Sequence, residues 1–99
     1  MQTAVTFKNI DTSPHFREYI ESKLSRLDKL LDNPGMADVT LRVEKLRHVA
    51  EVSLTSQRLA IHASEENDDM HAAIDLVVDK VKKQINKKKD RMREHRNRN

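Results

Sequence analysis

Between Val39 and Ala63, apolar and polar residues alternate three times in succession, and this run leaves few folds open. Val39, Leu41 and Val43 alternate with Thr40, Arg42 and Glu44; Ala50, Val52 and Leu54 alternate with Glu51, Ser53 and Thr55; Leu59, Ile61 and Ala63 alternate with Ala60, His62 and Ser64. A period of two belongs to a strand with one face buried, so three strands follow one another, joined by short turns near Leu46-Arg47 and Ser56-Gln57. Thr3, Val5 and Phe7 show the same alternation against Ala4, Thr6 and Lys8, which adds an opening strand.

The remaining apolar residues have a different period. Ser13 followed by Pro14 reads as an N-cap and first helical position, because the N–H that proline lacks would be unpaired there in any case. From there Phe16, Ile20, Leu24, Leu27 and Leu31 recur at three and four, one face of an amphipathic helix that Asn33-Pro34-Gly35 stops. Met70, Ile74, Val77, Val78, Val81 and Ile85 form a second stripe, entered through Asp68-Asp69, whose carboxylates suit the positive end of a helix dipole. The order is β-α-β-β-β-α. It predicts an α+β sandwich of two layers: a four-stranded sheet with both helices on one face, similar to a double-stranded-RNA-binding domain, and the other face left to water or a partner. Phe7 and Phe16 are expected in the core.

Ninety-nine residues make one domain, too small to enclose a cleft between two lobes. Residues 1–89 are expected to fold, and 90–99 to form a basic, frayed or disordered tail. With no cysteine there is neither a disulfide nor a thiolate ligand. No apolar run approaches the ~20 residues that span a bilayer, and the opening MQTAVTFKNI lacks the charged start and apolar stretch of a signal peptide. The expected location is the cytoplasm, with no membrane partner.

Charge is divided unevenly. From Lys80 to Arg98 there are ten basic residues against Asp90 and Glu94, whereas residues 1–79 hold nine basic against fourteen acidic. The net charge of +3 therefore conceals a body near −5 and an end near +8. Such asymmetry points to a polyanionic partner. At 100° per residue the second stripe runs out near Ile85, so a helix from Asp69 to about Lys89, roughly 30 Å long, projects its last turns as a basic rod. Cations near a helix C-terminus also complement its dipole, but that accounts for two or three of them and not ten. On the first helix Lys23, Arg26 and Lys29 step by three along one flank, while Glu18, Glu21, Asp28 and Asp32 gather on the far side.

Single-strand readers stack bases on exposed aromatics, and the only aromatics here are Phe7, Phe16 and Tyr19, all in the first strand or helix. Double-stranded-RNA-binding domains present lysines at the start of their last helix, where this chain has EENDDM, a sequence that repels phosphate. What remains is phosphate contact by long cationic side chains, reading the shape of a folded RNA.

The segment DMHAAIDLVVDKVKKQINKKKD, after IHASEEN and the strand pair VTLRVEKLRHVAEVSL, resembles the ribosome hibernation-promoting factor and ribosome-associated inhibitor family over residues 1–91. The absence of an acidic extension and of a further C-terminal domain makes it most similar to the short hibernation-promoting type. The resemblance implies a translation silencer of resting or stressed cells that binds the small ribosomal subunit and its rRNA in the mRNA/tRNA channel, monomeric when free. It assigns RNA-facing roles to Lys23, Arg26, Lys80, Lys83, Lys87 and Lys89. Spacing adds Lys29 and Lys88, and Arg91 at the start of the arginine-rich end is grouped with them. An alternative is a basic regulatory module that docks an acidic protein.

An enzyme is not expected, and neither are a cofactor, a metal or a small-molecule substrate. Five histidines are scattered at 15, 48, 62, 71 and 95, and the single glycine leaves no phosphate-cradling loop. Glu65, Glu66, Asp68, Asp69 and His71 could hold a divalent cation, but an acidic turn that favours a helix start explains them more simply.

Overall fold

A computed structural model describes the backbone of residues 1–97 and the side chains of residues 1–91. Its elements are β1 (Gln2–Lys8), α1 (Pro14–Ser25), a 3-10 turn (Arg26–Leu30), β2 (Met36–Glu44), β3 (Arg47–Ser56), β4 (Leu59–Asn67) and α2 (Met70–Asn97). The sheet runs β1-β2-β3-β4. β1 and β2 are parallel, as a crossover through α1 demands, and the other pairs are antiparallel hairpins.

Register follows from burial. Val5, Val39, Val52 and Ala63 lie opposite one another across the sheet, and Thr3, Ala37, Leu54 and Ile61 form the next inward row. A slip of one residue would turn each strand's apolar set outward. On these rows pack Ile20, Leu24 and Leu27 from the first helical segment, and Met70, Ala73, Ile74, Val77, Val81 and Ile85 from α2. Both helices thus cover one face, and α2 lies across β3 and β4. On the opposite face Arg42 pairs with Glu44 at 2.7 Å and also with Glu51.

Both helix starts are capped. The Ser13 hydroxyl accepts the Phe16 N–H at 3.2 Å, with Pro14 in the first turn. At α2 the Asp69 carboxylate accepts the Ala72 N–H at 3.3 Å.

Several local expectations are corrected. The first stripe predicts one continuous helix, but the α-helix ends at Ser25 and the chain tightens into the 3-10 turn. At three residues per turn Leu27 and Leu30 share a side, and Leu31 leaves in extended conformation (φ −100°, ψ 135°). Leu31 then lies over buried Gly35, where an added Cβ would come within 2.8 Å of Leu31 Cδ1. A larger residue here would displace the Leu31 side chain, so Gly35 makes room for this packing as well as stopping the helix. Phe7 and Phe16 are half-buried on the rim of the core. β1 is an edge strand, so its inward side chains lack a neighbour on one side.

The hairpin turns are Lys45-Leu46 and Gln57-Arg58, each one residue from its expected place. Lys45 (φ 56°) and Gln57 (φ 50°) take left-handed backbone without being glycine, a strain of about 1–2 kcal/mol. Finally, α2 runs on to Asn97, past the expected end near Lys89. The expected disordered tail concerns residues 90–99, of which the side chains from Met92 onward and all of residues 98–99 lie outside the described residues.

Candidate nucleic-acid interface

The two helical segments meet over the core and leave a groove of about 260 Å³ between them. Leu27, Leu30 and Val78 form its apolar floor, while Lys23, Arg26 and Lys29 line one wall and Asp75, Asp79 and Lys82 the other. The local cause is spacing. Lys23, Arg26 and Lys29 recur at three along one segment, and Asp75, Asp79 and Lys82 fall beside the buried stripe of α2.

Lys23 is tied across the groove. Its Nζ lies 2.8 Å from Asp75 Oδ1, and the Tyr19 hydroxyl donates to the same oxygen at 2.7 Å. The ammonium also sits 5.1 Å from the Tyr19 ring centroid. Burial alone would raise the Asp75 carboxyl, but the hydrogen bonds from Lys23 and Tyr19 outweigh it and hold the group below its ordinary value. The same hydrogen bonds to Asp75 raise the pKa values of Lys23 and Tyr19. Lys23 therefore stays charged, yet its charge is already met by Asp75.

Arg26, Lys29 and Lys82 differ from it: all three are exposed, and among the described residues none forms an ion pair. Lys82 was not among the residues expected from sequence. The 100° step that sets Lys89 about 60° from Ile74 sets Lys82 about 80° from it, so the signal was present on the helical wheel. Glu18 and Glu21, and Asp28 paired with the N-terminal amine, line a different surface from Lys23, Arg26 and Lys29, whereas Asp32 lies beside Lys89 and Asp75 and Asp79 return two carboxylates to the groove from α2.

Of the α2 cations expected from sequence, all but Lys89 fall on two further faces. Toward β4, Lys80 Nζ donates to the Ser64 carbonyl at 3.4 Å, Gln84 to the His62 carbonyl at 3.4 Å, and Lys88 to the Ala60 carbonyl. These three residues, spaced by four, meet three carbonyls spaced by two along an edge strand whose outer groups have no strand partner. Lys80 also lies 3.3 Å from Glu65. Facing away from the sheet, Lys83 pairs with Asp79 at 2.9 Å, and Lys87 and Arg91 are exposed. Lys89, back toward the groove, donates to the Leu30 carbonyl at 2.6 Å and lies 4.0 Å from Asp32. The structure thus brings Lys23, Arg26 and Lys29 together with Lys82, and sets Lys80 and Lys88 on the opposite flank.

The acidic turn before α2 is taken up by its neighbours. Arg47 pairs with Asp68 and, at 4.0 Å, with Glu66, and among the described residues no group of three or more histidine or carboxylate ligands is placed to hold a metal ion. Among the described residues no helix is long and apolar enough to cross a membrane.

Over residues 3–93 the chain matches the family described as sigma 54 modulation protein / S30EA ribosomal protein. It is 36% identical over 95 residues to the ribosome hibernation promoting factor of Klebsiella oxytoca, spanning 96% of this chain and all of that one. In three dimensions it is similar to the N-terminal domain of protein Y from Thermus thermophilus, with a TM-score of 0.80 and 31% identity over 86% of this chain and 96% of that one. It is also similar to a ribosomal subunit interface protein from Coxiella burnetii, again with a TM-score of 0.80, at 27% identity over 91% and 99% of the two chains. A shared fold, a family match over nearly every residue and this level of identity show that the chain belongs to the sigma 54 modulation protein / S30EA ribosomal protein family.

Proposed function

We propose that the chain is a ribosome-binding translation silencer that occupies the mRNA/tRNA channel of the small subunit in resting or stressed cells and so promotes hibernation. One observation carries this reading: Arg26, Lys29 and Lys82 converge from two elements on one groove and are neutralised by no partner among the described residues. Three cations mounted on helices that share a core are held at fixed spacing, which suits the phosphates of a folded RNA better than a flexible acidic peptide. Lys83, Lys87 and Arg91 extend the positive field along α2. The names of the relatives support a ribosomal partner, and family membership is consistent with a binding factor of the cytoplasm rather than an enzyme.

Phosphate contact releases counterions. With about five contacts the affinity for small subunits falls with salt at a slope of roughly −4 to −5 on a log–log plot. Co-sedimentation with purified small subunits across a potassium chloride series at fixed magnesium measures it. Alanine at Lys23 and Arg26 weakens binding and flattens the slope by about one to two units, Lys23 contributing less because Asp75 already answers it. Wild-type affinity and slope in that variant would remove the groove from the interface, and binding that survives RNase treatment of the partner would favour the acidic-protein alternative.

A further inference from the structure

A second pocket, of about 360 Å³, opens where the loop before β2 meets the Gln57-Arg58 turn and the Lys89 turn of α2. This lies at the low end of the ~300–1,000 Å³ typical of small-ligand sites. Its apolar wall includes Leu30 and Leu31, both half-buried. The Asn33 amide donates to the Gln57 side-chain carbonyl at 3.0 Å, which leaves an acceptor on Asn33 and a donor on Gln57 for a ligand. Arg58, exposed and without an ion pair among the described residues, is the first cation of the pocket, and Lys89, whose Nζ donates to the Leu30 carbonyl and lies 4.0 Å from the one carboxylate, Asp32, keeps further N–H donors and is the second.

The walls are fixed to each other. Ser56, the only buried polar residue among the described residues, donates its hydroxyl to the Asn33 carbonyl at 2.8 Å, joining the loop before β2 to the end of β3. The pocket adjoins the groove, and Leu30 lines both. An RNA strand lying along the groove has this pocket as its neighbour.

We propose that this pocket takes one unpaired nucleotide of the bound RNA, with the base against Leu30 and Leu31, its edge against the Asn33 and Gln57 amides, and a phosphate on Arg58 and Lys89. Amide side chains match the adjacent donors and acceptors of a base edge, and unstacked bases are the part of a folded RNA that a protein can read. The inference deepens the RNA-binding reading and rests on it. It names the residues that add base contact to phosphate contact, and it makes Arg58 and Gln57, at a strained turn, binding residues.

The four nucleoside 5′-monophosphates and, separately, inorganic phosphate are titrated into isotope-labelled protein and followed by NMR. Nucleotides are expected to shift the Leu30 and Leu31 methyls and the Asn33 and Gln57 side-chain amides, whereas phosphate alone moves only signals near Arg58 and Lys89. Gln57→Ala and Arg58→Ala, both at exposed positions, remove the nucleotide shifts. Arg58→Ala lowers small-subunit affinity about tenfold and the salt slope by about one. No shift at millimolar nucleotide, or the same shifts with phosphate alone, overturns the base pocket. Nucleotide shifts with unchanged subunit affinity in Arg58→Ala overturn the assignment to ribosomal RNA and make the occupant a free nucleotide. The RNA-binding reading fails separately, through the Lys23/Arg26 variant, whatever happens at Arg58.

Discussion

The two flanks of α2 carry the same side chains and use them differently. On the groove flank Lys82 is exposed and without an ion pair among the described residues, facing Arg26 and Lys29 across a floor of leucine and valine. On the strand flank Lys80 and Lys88, with Gln84 between them, reach carbonyls of β4. The first arrangement leaves charge available to a partner. The second directs it onto the outer edge of the sheet, where a row of unpaired backbone groups would otherwise invite another strand. A lysine in a basic run is therefore not automatically a phosphate contact, and what decides is the element facing it.

The sharpest way to break this contrast is to remove one flank at a time. Replacing Arg26, Lys29 and Lys82 together by alanine is expected to flatten the salt slope of small-subunit binding by roughly three units. Replacing Lys80 and Lys88 should change it by less than one. Thermal unfolding should barely separate the groove triple variant from wild type, because the positions are exposed and Arg26, at the C-cap of α1, makes its capping bond to the Leu24 carbonyl through its backbone N–H, which alanine keeps. An equal loss of slope from both flanks would mean that the edge contacts open on binding and that all the lysines act alike.

A smaller effect sharpens the other side. If Lys80, Gln84 and Lys88 shield β4, alanine at all three should cost up to about 1 kcal/mol of stability. It should also raise self-association at high concentration, read by light scattering or sedimentation. Retained stability with no self-association would show the edge to be indifferent to its cover.

The smallest effect lies in the Lys23–Asp75 pair that bridges the groove. Asp75 has a folded pKa below its unfolded value, so its contribution is present above the unfolded carboxyl range near ~4 and fades as pH falls through the lower folded value. Tyr19 and Lys23 are shifted upward, so theirs is present below their unfolded values near ~10 and fades in strong alkali. Asp75 is half exposed, with 49% of its side chain accessible, which limits the pair to about 1 kcal/mol or less. Asp75→Asn should lower the unfolding midpoint slightly at neutral pH and converge with wild type in acid. By freeing Lys23 it should also raise RNA affinity, the opposite sign from a variant that merely damages the fold.

Much of the fold was legible because burial is periodic. The alternation over residues 39–63, the Ser13-Pro14 entry and the two helical stripes set the element order, and the core that formed from them contains Ile20, Leu24, Ile74, Val81 and Ile85. The turns were legible only to within a residue, because Lys45 and Gln57 carry no glycine or asparagine to mark a left-handed position. Part of the groove's lining could be found in the same way: Lys23, Arg26 and Lys29 recur at three along one segment and line one wall. Lys82 was accessible to the same wheel, but a helical wheel gives an angle about an axis and does not say what stands opposite.

Element order, the inward rows and the accumulation of positive charge toward the end of the chain each depend on residues a few positions apart, and so can be read along the chain without its fold. Tertiary structure alone decided which cations remain available. Asp75 meets Lys23 across 52 positions, Lys88 meets Ala60 across 28, and Lys89 meets Leu30 across 59. Coulomb attraction and hydrogen bonding act over a few ångströms of space, whatever the separation along the chain. Only when α1 and β4 are brought against opposite flanks of α2 does one basic helix acquire a side that holds the sheet edge and a side whose cation, Lys82, is left exposed.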